Sequence, residues 1–333
     1  MNPKNRFHVF GGIWKKPYMR IIVSLLILTI LFVTLPIVEI WHALRKVSLH
    51  IWILILAAFL MGHIAGAVKW SLLVNSRDKI LPLSLAFRYY FAGLFANLCL
   101  PSLVGGDVIR AGMAIRFNND KESVILGGLL DRVLDLTALG IIILVGTAFS
   151  PVMLALKSRN ILLILFLFIL FCILFFAFLL FMPLFKSMPK FMHDAVIRIR
   201  YILDCLISKP QRIMTGFVIA ILMQGGFVLL NMMLGSAIGI HLPVSVWFLA
   251  WPLAKLSAMI PVSMGGLGVR EAALGALLVG FGVPFTSSVG LGLLWQTILI
   301  AGGVLGGIFY LLSGGRVQGF NIADAEPLHS ERN

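Results

Sequence analysis

Long apolar runs are the feature that most limits what this chain can fold into. A helix crosses a bilayer with about 20 residues. Six runs are of about that length or longer, near residues 21–38, 51–74, 123–148, 161–182, 213–239 and 286–312. They do not alternate in polarity as barrel strands do, and hydrophobic residues make up 60% of the chain. The sequence therefore predicts an all-α polytopic membrane protein with six full transmembrane helices.

Basic residues are distributed unevenly between the loops. Lys15, Lys16 and Arg20 precede the first run, and the segment 183–212 is again rich in lysine and arginine. Because cytoplasmic loops are enriched in these residues, both termini are predicted to lie in the cytoplasm and the protein in the cell membrane. The segment 183–212 is expected to lie on the inner leaflet, where it attracts anionic lipid headgroups. Basic residues that flank apolar runs do not indicate a nucleic-acid partner.

Two regions between the full spans have the pattern of broken helix pairs. In region 83–117 an apolar helix ends near a proline, and Gly105 and Gly106 precede about fourteen further residues. A helix of that length spans only about 21 Å, which is short of a bilayer core of about 30 Å. Region 244–282 repeats the plan. We predict a re-entrant helix pair in each region, with two full crossings as the alternative.

The two broken regions are related in sequence. LPSLVGGDVIRAG (100–112) aligns without a gap with IPVSMGGLGVREA (260–272), so that 160 residues separate each position from its counterpart. The identical positions pair Pro101 with Pro261, Gly105 with Gly265, Gly106 with Gly266 and Arg110 with Arg270. Because an odd number of full spans separates the regions, the two halves are predicted to be inverted repeats, as in many transporters.

This repeat defines the predicted domain organisation. Residues 1–20 form a cytoplasmic N-terminus, and residues 313–333 form a cytoplasmic tail. The first membrane repeat is predicted at 21–160 and the second at 161–312, with the basic segment 183–212 inside it. The first run resembles a signal peptide, but no small-residue cleavage site follows it, so an uncleaved span is expected.

Ionisable residues occur well inside the predicted membrane region. Asp131, Arg132 and Asp135 lie within the third full span, in LLDRVLDLTALG. A charge at the bilayer centre costs about 2.5–3.5 kcal/mol, so these side chains are expected to face a polar interior and to be paired. Near the centre four acids (Asp107, Asp131, Asp135, Glu271) balance four bases (Arg110, Arg132, Lys255, Arg270). The alternative is a set of salt bridges that only holds the two halves together.

Each glycine pair precedes a short helix, and this arrangement predicts an anion site. Free N–H groups at a helix N-terminus attract anions such as phosphate. Arg110 and Arg270 follow the glycines and could bind phosphate through two hydrogen bonds. Glycine pairs in membrane helices are also common packing features. Lys69, near the end of a predicted span, is expected to extend toward the interface.

No nucleotide-binding, hydrolase or metal-ligand motif occurs in the sequence. The segments outside the predicted membrane region are too short for a separate catalytic domain. We therefore expect no catalytic residue, no metal ion and no cofactor, and a protein that is not an enzyme.

Three ordered segments resemble the flippase-like membrane family that includes the transmembrane region of lysylphosphatidylglycerol synthases. They are LPSLVGGDVIRA (100–111), LLDRVLDL (129–136) and IPVSMGGLGVREAAL (260–274). The resemblance covers nearly the whole chain, and the family usually has Glu in place of Asp131. It implies a domain that moves a modified phospholipid or a polyprenyl lipid between leaflets. The substrate-binding residues that the motifs and the charges predict are Gly105, Gly106, Asp107, Arg110, Asp131, Arg132, Asp135, Gly265, Gly266, Arg270 and Glu271.

The resemblance predicts a lipid translocator (flippase) that works without ATP. Its expected partners are membrane lipids, either an anionic phospholipid or a polyprenyl phosphate. The soluble aminoacyl-transfer domain of the full synthases is not expected in this chain, so a separate lipid-modifying enzyme is a possible partner. Two alternatives stay open: a membrane-embedded lipid glycosyl or aminoacyl transferase or its accessory, and a secondary transporter of small solutes or ions.

Overall fold

A computed structural model describes residues 47–75, 81–100, 105–118, 120–149, 209–259 and 267–314, together with Arg45 and Asp204. Eight α-helices account for most of these residues, and no strand occurs among them. The helices are α1 (Leu49–Val74), α2 (Leu83–Cys99), α3 (Gly105–Asn118), α4 (Lys121–Ala148), α5 (Pro210–Ala237), α6 (Val244–Ala258), α7 (Val269–Val279) and α8 (Phe285–Leu312). The predicted all-α class is confirmed for the described part of the chain.

Three of the described helices are long and apolar enough to cross a membrane. They are α1, α5 and α8, with 26, 28 and 28 residues. The helix α4 also has 28 residues but carries several charges along its length. These four helices coincide, within a few residues, with the runs predicted at 51–74, 123–148, 213–239 and 286–312. The predicted spans 21–38 and 161–182, and most of the basic segment 183–212, lie outside the described residues.

Short polar residues and prolines mark where the helices begin. The Ser48 side chain accepts a hydrogen bond from the backbone N–H of Ile51 at the start of α1. The Asp120 side chain accepts one from Ser123 at the start of α4. A proline directly precedes α2, α6 and α8 (Pro82, Pro243 and Pro284). The serine and the aspartate accept hydrogen bonds from N–H groups of the first turn, and the prolines have no N–H group of their own. The helix boundaries therefore follow from local sequence.

A separate short helix follows each predicted break, while residues 101–104 and 260–266 lie outside the described part of the chain. The short helix α3 begins at Gly105 and has 14 residues, as the sequence indicates. Its counterpart α7 begins at Val269 and has only 11 residues. The second glycine pair, Gly265 and Gly266, lies outside the described residues.

The helix contacts come in matched sets. The 160-residue offset relates α1 to α5, α2 to α6, α3 to α7 and α4 to α8. The helix α2 packs on α8, and α6 packs correspondingly on α4. The pairs α2 with α3 and α3 with α4 likewise correspond to α6 with α7 and α7 with α8. We call α1–α4 the first unit and α5–α8 the second unit.

The helices α1 and α5 are equivalents that pack directly on each other. An added Cβ at Gly62 would meet Phe227, and one at Gly66 would meet Met223. Gly216 lies against Leu73 in the same way. As residue numbers increase along α1, the residue numbers of its partners in α5 decrease. The two helices are therefore antiparallel.

The largest buried core lies mainly among α1, α5, α6 and α8. Its centre is aromatic: the Trp295 ring meets Phe59 edge to face at 5.7 Å and Trp251 at 5.2 Å. Such aromatic pairs add packing energy beyond their buried area. This core fixes the helices from which the charged side chains of the second unit project.

Candidate functional site

Six charged side chains of the first unit form one chain of alternating sign, which we call the ion-pair chain. Its order is Asp135, Lys69, Asp131, Arg110, Asp107 and Arg132. The acids and bases come from α1, α3 and α4, so the chain connects three helices. Three carboxylates balance three cations, and the chain is neutral.

Asp131 occupies the centre of the ion-pair chain. Its Oδ2 accepts a hydrogen bond of 2.8 Å from Arg110 Nη2. Its Oδ1 lies 3.1 Å from Lys69 Nζ, an ion pair without hydrogen-bond geometry. All three side chains are nearly inaccessible, with Lys69 1% and Asp131 4% exposed. Buried charges of this kind are tolerated only when each has a close partner.

The two ends of the ion-pair chain differ in exposure. At one end Lys69 donates a hydrogen bond to Asp135, whose side chain is 14% exposed. At the other end Asp107 lies 3.0 Å from Arg110 Nη2 and accepts a 2.7 Å hydrogen bond from Arg132 Nε. The Arg132 side chain is 40% exposed. Accessibility therefore rises from a buried centre toward Arg132.

Aromatic rings hold Arg110 in place. Its guanidinium carbon lies 5.1 Å from the ring centre of Trp70 and 5.0 Å from that of Tyr90. Cation–π contacts of this geometry contribute about 0.5–2 kcal/mol. The Tyr90 hydroxyl is 3.3 Å from His63 Nδ1, and the His63 ring packs against Phe227 of α5. An aromatic path thus joins Arg110 to the second unit.

The structure corrects the interpretation of Lys69. The sequence places this lysine near the end of a span, which predicts extension toward the interface. Instead, Lys69 is buried and paired with Asp131 and Asp135. The predicted end of the span is misleading because α4 brings two carboxylates against this part of α1, a contact that no local pattern reveals.

The start of α3 is a site of close helix packing. A Cβ added at Gly106 would lie 2.1 Å from the Gly93 carbonyl oxygen of α2. The Gly106 N–H donates a 2.8 Å hydrogen bond to Asn97 Oδ1. The glycine is therefore required for contact between α2 and α3, the packing role that such pairs often have. Substrate contact by Gly105, Gly106, Gly265 and Gly266 stays a prediction.

A second, smaller charge cluster lies at the start of α7, and we call it the Arg270 cluster. Arg270 Nη2 pairs with the adjacent Glu271 and donates a 2.8 Å hydrogen bond to Gln296 Oε1 of α8. The other Glu271 oxygen accepts a 2.8 Å hydrogen bond from the Gly268 N–H, which caps the helix. The Arg270 guanidinium also lies 5.8 Å from the Trp251 ring. Glu271 is thus held by two contacts and is 1% exposed.

Arg110 and Arg270 are equivalent positions with different partners. Each is buried, contacts an aromatic ring and follows a helix break. Carboxylates surround Arg110, whereas Arg270 meets one carboxylate and an amide. None of the six ion pairs described above joins the two units. The alternative that these charges hold the halves together is therefore not supported by them.

Gln224 and Asn231 are buried polar residues of α5. Gln224 Oε1 accepts a 2.6 Å hydrogen bond from Lys255 Nζ, and this bond joins α5 to α6. Asn231 instead donates to Phe227 within its own helix. Within the described residues, no three His, Cys, Asp or Glu side chains converge to hold a metal ion.

Gln296→Leu is expected to lower the free energy of unfolding by about 1.5–3 kcal/mol, the usual contribution of a hydrogen bond to a charged group. The variant removes an acceptor from the buried Arg270 guanidinium. Thermal or chemical unfolding in detergent would measure the loss. Ile300→Leu, at an exposed position of the same helix, is the control and should unfold like the parent. Equal stability of Gln296→Leu and Ile300→Leu would contradict this role.

The observed features define a class of protein. Long apolar helices enclose buried, paired charges, and this is how membrane proteins place polar groups inside the bilayer. Comparison with protein families assigns the chain more closely: the family described as "Lysylphosphatidylglycerol synthase TM region" matches residues 19–307. The chain belongs to this family of membrane proteins. No curated protein and no solved structure matches it.

Proposed function

We propose that this protein translocates a lipid between the two leaflets of the cell membrane. The observation that carries the proposal is the ion-pair chain, which runs from a fully buried centre to the partly exposed Arg132. A lipid headgroup that crosses the bilayer needs polar partners throughout its path, because unpaired polar groups are costly there. Membership in a family associated with a lipid synthase supports a lipid as the cargo.

An inverted repeat is the architecture that we infer for this activity. The equivalents α1 and α5 are antiparallel, and the helix contacts of the two units correspond pair by pair. A two-fold axis that relates antiparallel membrane helices lies in the plane of the membrane. Inverted units of this kind alternate access by rocking about a site between them.

The short helices α3 and α7 support re-entrant pairs at the predicted breaks. With 14 and 11 residues they span about 21 and 17 Å, less than a bilayer core of about 30 Å. Re-entrant backbone is tolerated at membrane depth where protein buries it, and α3 is packed closely on α2. The re-entrant segments would place Asp107, Arg110, Arg270 and Glu271 near the midplane.

The proposed cycle exchanges partners along the ion-pair chain. A headgroup phosphate reaches Arg132 first, since this cation is the most accessible member. Asp107 can then pair with Arg110 alone, at 3.0 Å. The acyl chains stay in the surrounding lipid. We further propose that both termini lie in the cytoplasm and that a separate enzyme supplies any modified lipid.

Reconstituted proteoliposomes test the proposed activity. Fluorescent phosphatidylglycerol, phosphatidylcholine or polyprenyl-phosphate analogues are incorporated, and a membrane-impermeant reductant then bleaches the outer leaflet. We expect bleaching to exceed the half that protein-free vesicles show. A result equal to that of protein-free vesicles for every lipid would exclude translocation. Uptake of a small solute without lipid movement would favour the alternative transporter.

Arg132→Gln is expected to slow lipid movement at least about tenfold, the effect of about 1.4 kcal/mol in a barrier. The variant removes the accessible end of the ion-pair chain, while Asp107 keeps its contact with Arg110. The bleaching assay measures the rate, and thermal unfolding shows whether the fold is retained. Arg116→Gln, at an exposed position of α3, is the matched control with the same charge change. Parent-like rates for Arg132→Gln would contradict the proposed path.

A further inference from the structure

The charges of the ion-pair chain, the Arg270 cluster and Lys255 do not balance. The ion-pair chain is neutral, and so is the pair formed by Arg270 and Glu271. Lys255 of α6, which is half-buried, is a further cation, so these groups together carry one net positive charge. An uncompensated charge inside a protein costs several kcal/mol, and proteins keep such charges mainly at functional sites.

Lys255 has a polar and an aromatic neighbour. Its Nζ donates a 2.6 Å hydrogen bond to Gln224 Oε1 and lies 5.5 Å from the Phe227 ring centre. No carboxylate among the described residues forms an ion pair with it. The ammonium has three N–H donors, and Gln224 occupies one of them. Two donors are therefore available for an oxygen-rich anion.

A second hydrogen-bond donor without a partner lies against α6. Arg270 Nε is buried and has no hydrogen-bond partner. The Arg270 guanidinium lies against Trp251, which is one turn before Lys255 on α6. Residues four apart share a helix face, so Arg270 lies along the face of α6 that carries Lys255. Asp135 of the ion-pair chain attracts the charge of Lys255 more strongly than Arg270 repels it.

We propose that Lys255, with Gln224 beside it and the Arg270 Nε group nearby, binds the phosphodiester of a lipid headgroup that carries one negative charge. One such charge neutralises the combined charge of the ion-pair chain, the Arg270 cluster and Lys255. A phosphomonoester with two negative charges would leave the site with a net negative charge. A zwitterionic headgroup adds no net charge, so the site would stay positive. The inference rests on the proposed function, because the bound lipid is the one to be moved. It assigns the main phosphate contact in the second unit to Lys255 rather than to Arg270, which is paired with Glu271.

Lipid binding to the purified protein tests this assignment without any transport. The probes are short-chain phosphatidylglycerol, phosphatidic acid and phosphatidylcholine, with glycerophosphoglycerol and inorganic phosphate as water-soluble anions. We expect phosphatidylglycerol to bind at least about tenfold more tightly than phosphatidylcholine and to raise the Tm most. Equal binding of all three lipids would overturn the proposal. Comparable binding of glycerophosphoglycerol would show a soluble diester site and overturn its assignment to lipid.

Substitutions of Lys255 separate ligand binding from a structural role. Lys255→Gln is expected to weaken phosphatidylglycerol binding at least about tenfold, and Lys255→Arg to retain it. Without lipid, Lys255→Gln should raise the Tm by about 2–4 °C, because an uncompensated charge is removed. Lys121→Gln, an exposed lysine at the start of α4, is the control and should change neither quantity. A lower Tm for lipid-free Lys255→Gln would show a structural partner for Lys255 and overturn the proposal.

The same variants distinguish this inference from the proposed function. If phosphatidylglycerol binding depends on Lys255 but no lipid moves between leaflets, the proposed translocation is wrong and the Lys255 site stands. If the Lys255→Gln variant translocates lipid at the parent rate, the Lys255 site is wrong and the proposed translocation stands.

Discussion

Asp131→Leu is expected to lower the free energy of unfolding by about 3–5 kcal/mol, the cost of removing one partner from a buried ion pair. The Asp131 carboxylate lies between Arg110 and Lys69. Without it, the ion-pair chain holds three cations and two carboxylates, and two of the cations, Lys69 and Arg110, are almost inaccessible. Unfolding by heat or by denaturing detergent, from the same mixed micelles for every variant, measures the change. A loss of less than about 1 kcal/mol would show that water reaches the remaining charges, although the structure buries them.

The double variant Arg110→Met with Asp131→Leu is the matched control for this prediction. Removal of this central pair leaves Asp135 with Lys69 and Asp107 with Arg132, two neutral pairs. Replacement of a whole buried pair by apolar groups is often neutral or stabilising. The double variant should therefore be more stable than Asp131→Leu alone, with a coupling energy of about 2 kcal/mol or more. Additive losses would contradict the alternating arrangement.

Gly106→Ala is expected to destabilise the fold by about 3 kcal/mol, at the upper end for overpacking. The added Cβ would lie 2.1 Å from the Gly93 carbonyl oxygen and 2.6 Å from Asn97 Oδ1. Neither neighbour can move away easily, because one is a backbone carbonyl and the other accepts a hydrogen bond from the Gly106 N–H group. The helices α2 and α3 would have to separate. The yield of folded protein from size-exclusion chromatography and the Tm both measure the loss.

Gly112→Ala tests whether that loss is specific. Gly112 lies in the same helix, and a Cβ there would meet nothing within 4 Å. Alanine has a higher helix propensity than glycine by about 1 kcal/mol, so Gly112→Ala should be neutral or stabilising. Similar losses at both positions would indicate that α3 tolerates no change, and the close-contact explanation would fail.

Helix positions were accessible from sequence because they depend on local patterns. Apolar run length predicts the extents of α1, α4, α5 and α8 to within a few residues. The repeat in Pro101 and Pro261 predicts that two short helices follow matching breaks. The start of α7 was misplaced by a few residues: Gly268, with φ 80°, precedes the first turn, and the Glu271 side chain caps it.

The pairing of charges was predictable in kind but not in detail. The high cost of charge in a membrane predicts that Asp107, Asp131 and Asp135 have partners. Which partners they have depends on helix packing: Lys69 is 62 positions before Asp131 in the sequence, and only contact between α1 and α4 joins them. The count of four acids and four bases missed Lys69 for that reason. With Lys69 paired, Lys255 is the one cation of that count that has no carboxylate partner among the described residues.

The amino-acid sequence alone determined the class of this protein, the positions of its described helices and its repeat, since run length, prolines and glycines act over one or two turns. Tertiary structure alone decided that Gly106 serves close packing, that Lys69 is buried and that Arg110 and Arg270 have different partners. These facts depend on which helix faces meet. The free energy of a buried charge is set by atoms within about 4 Å, and those atoms belong to other helices.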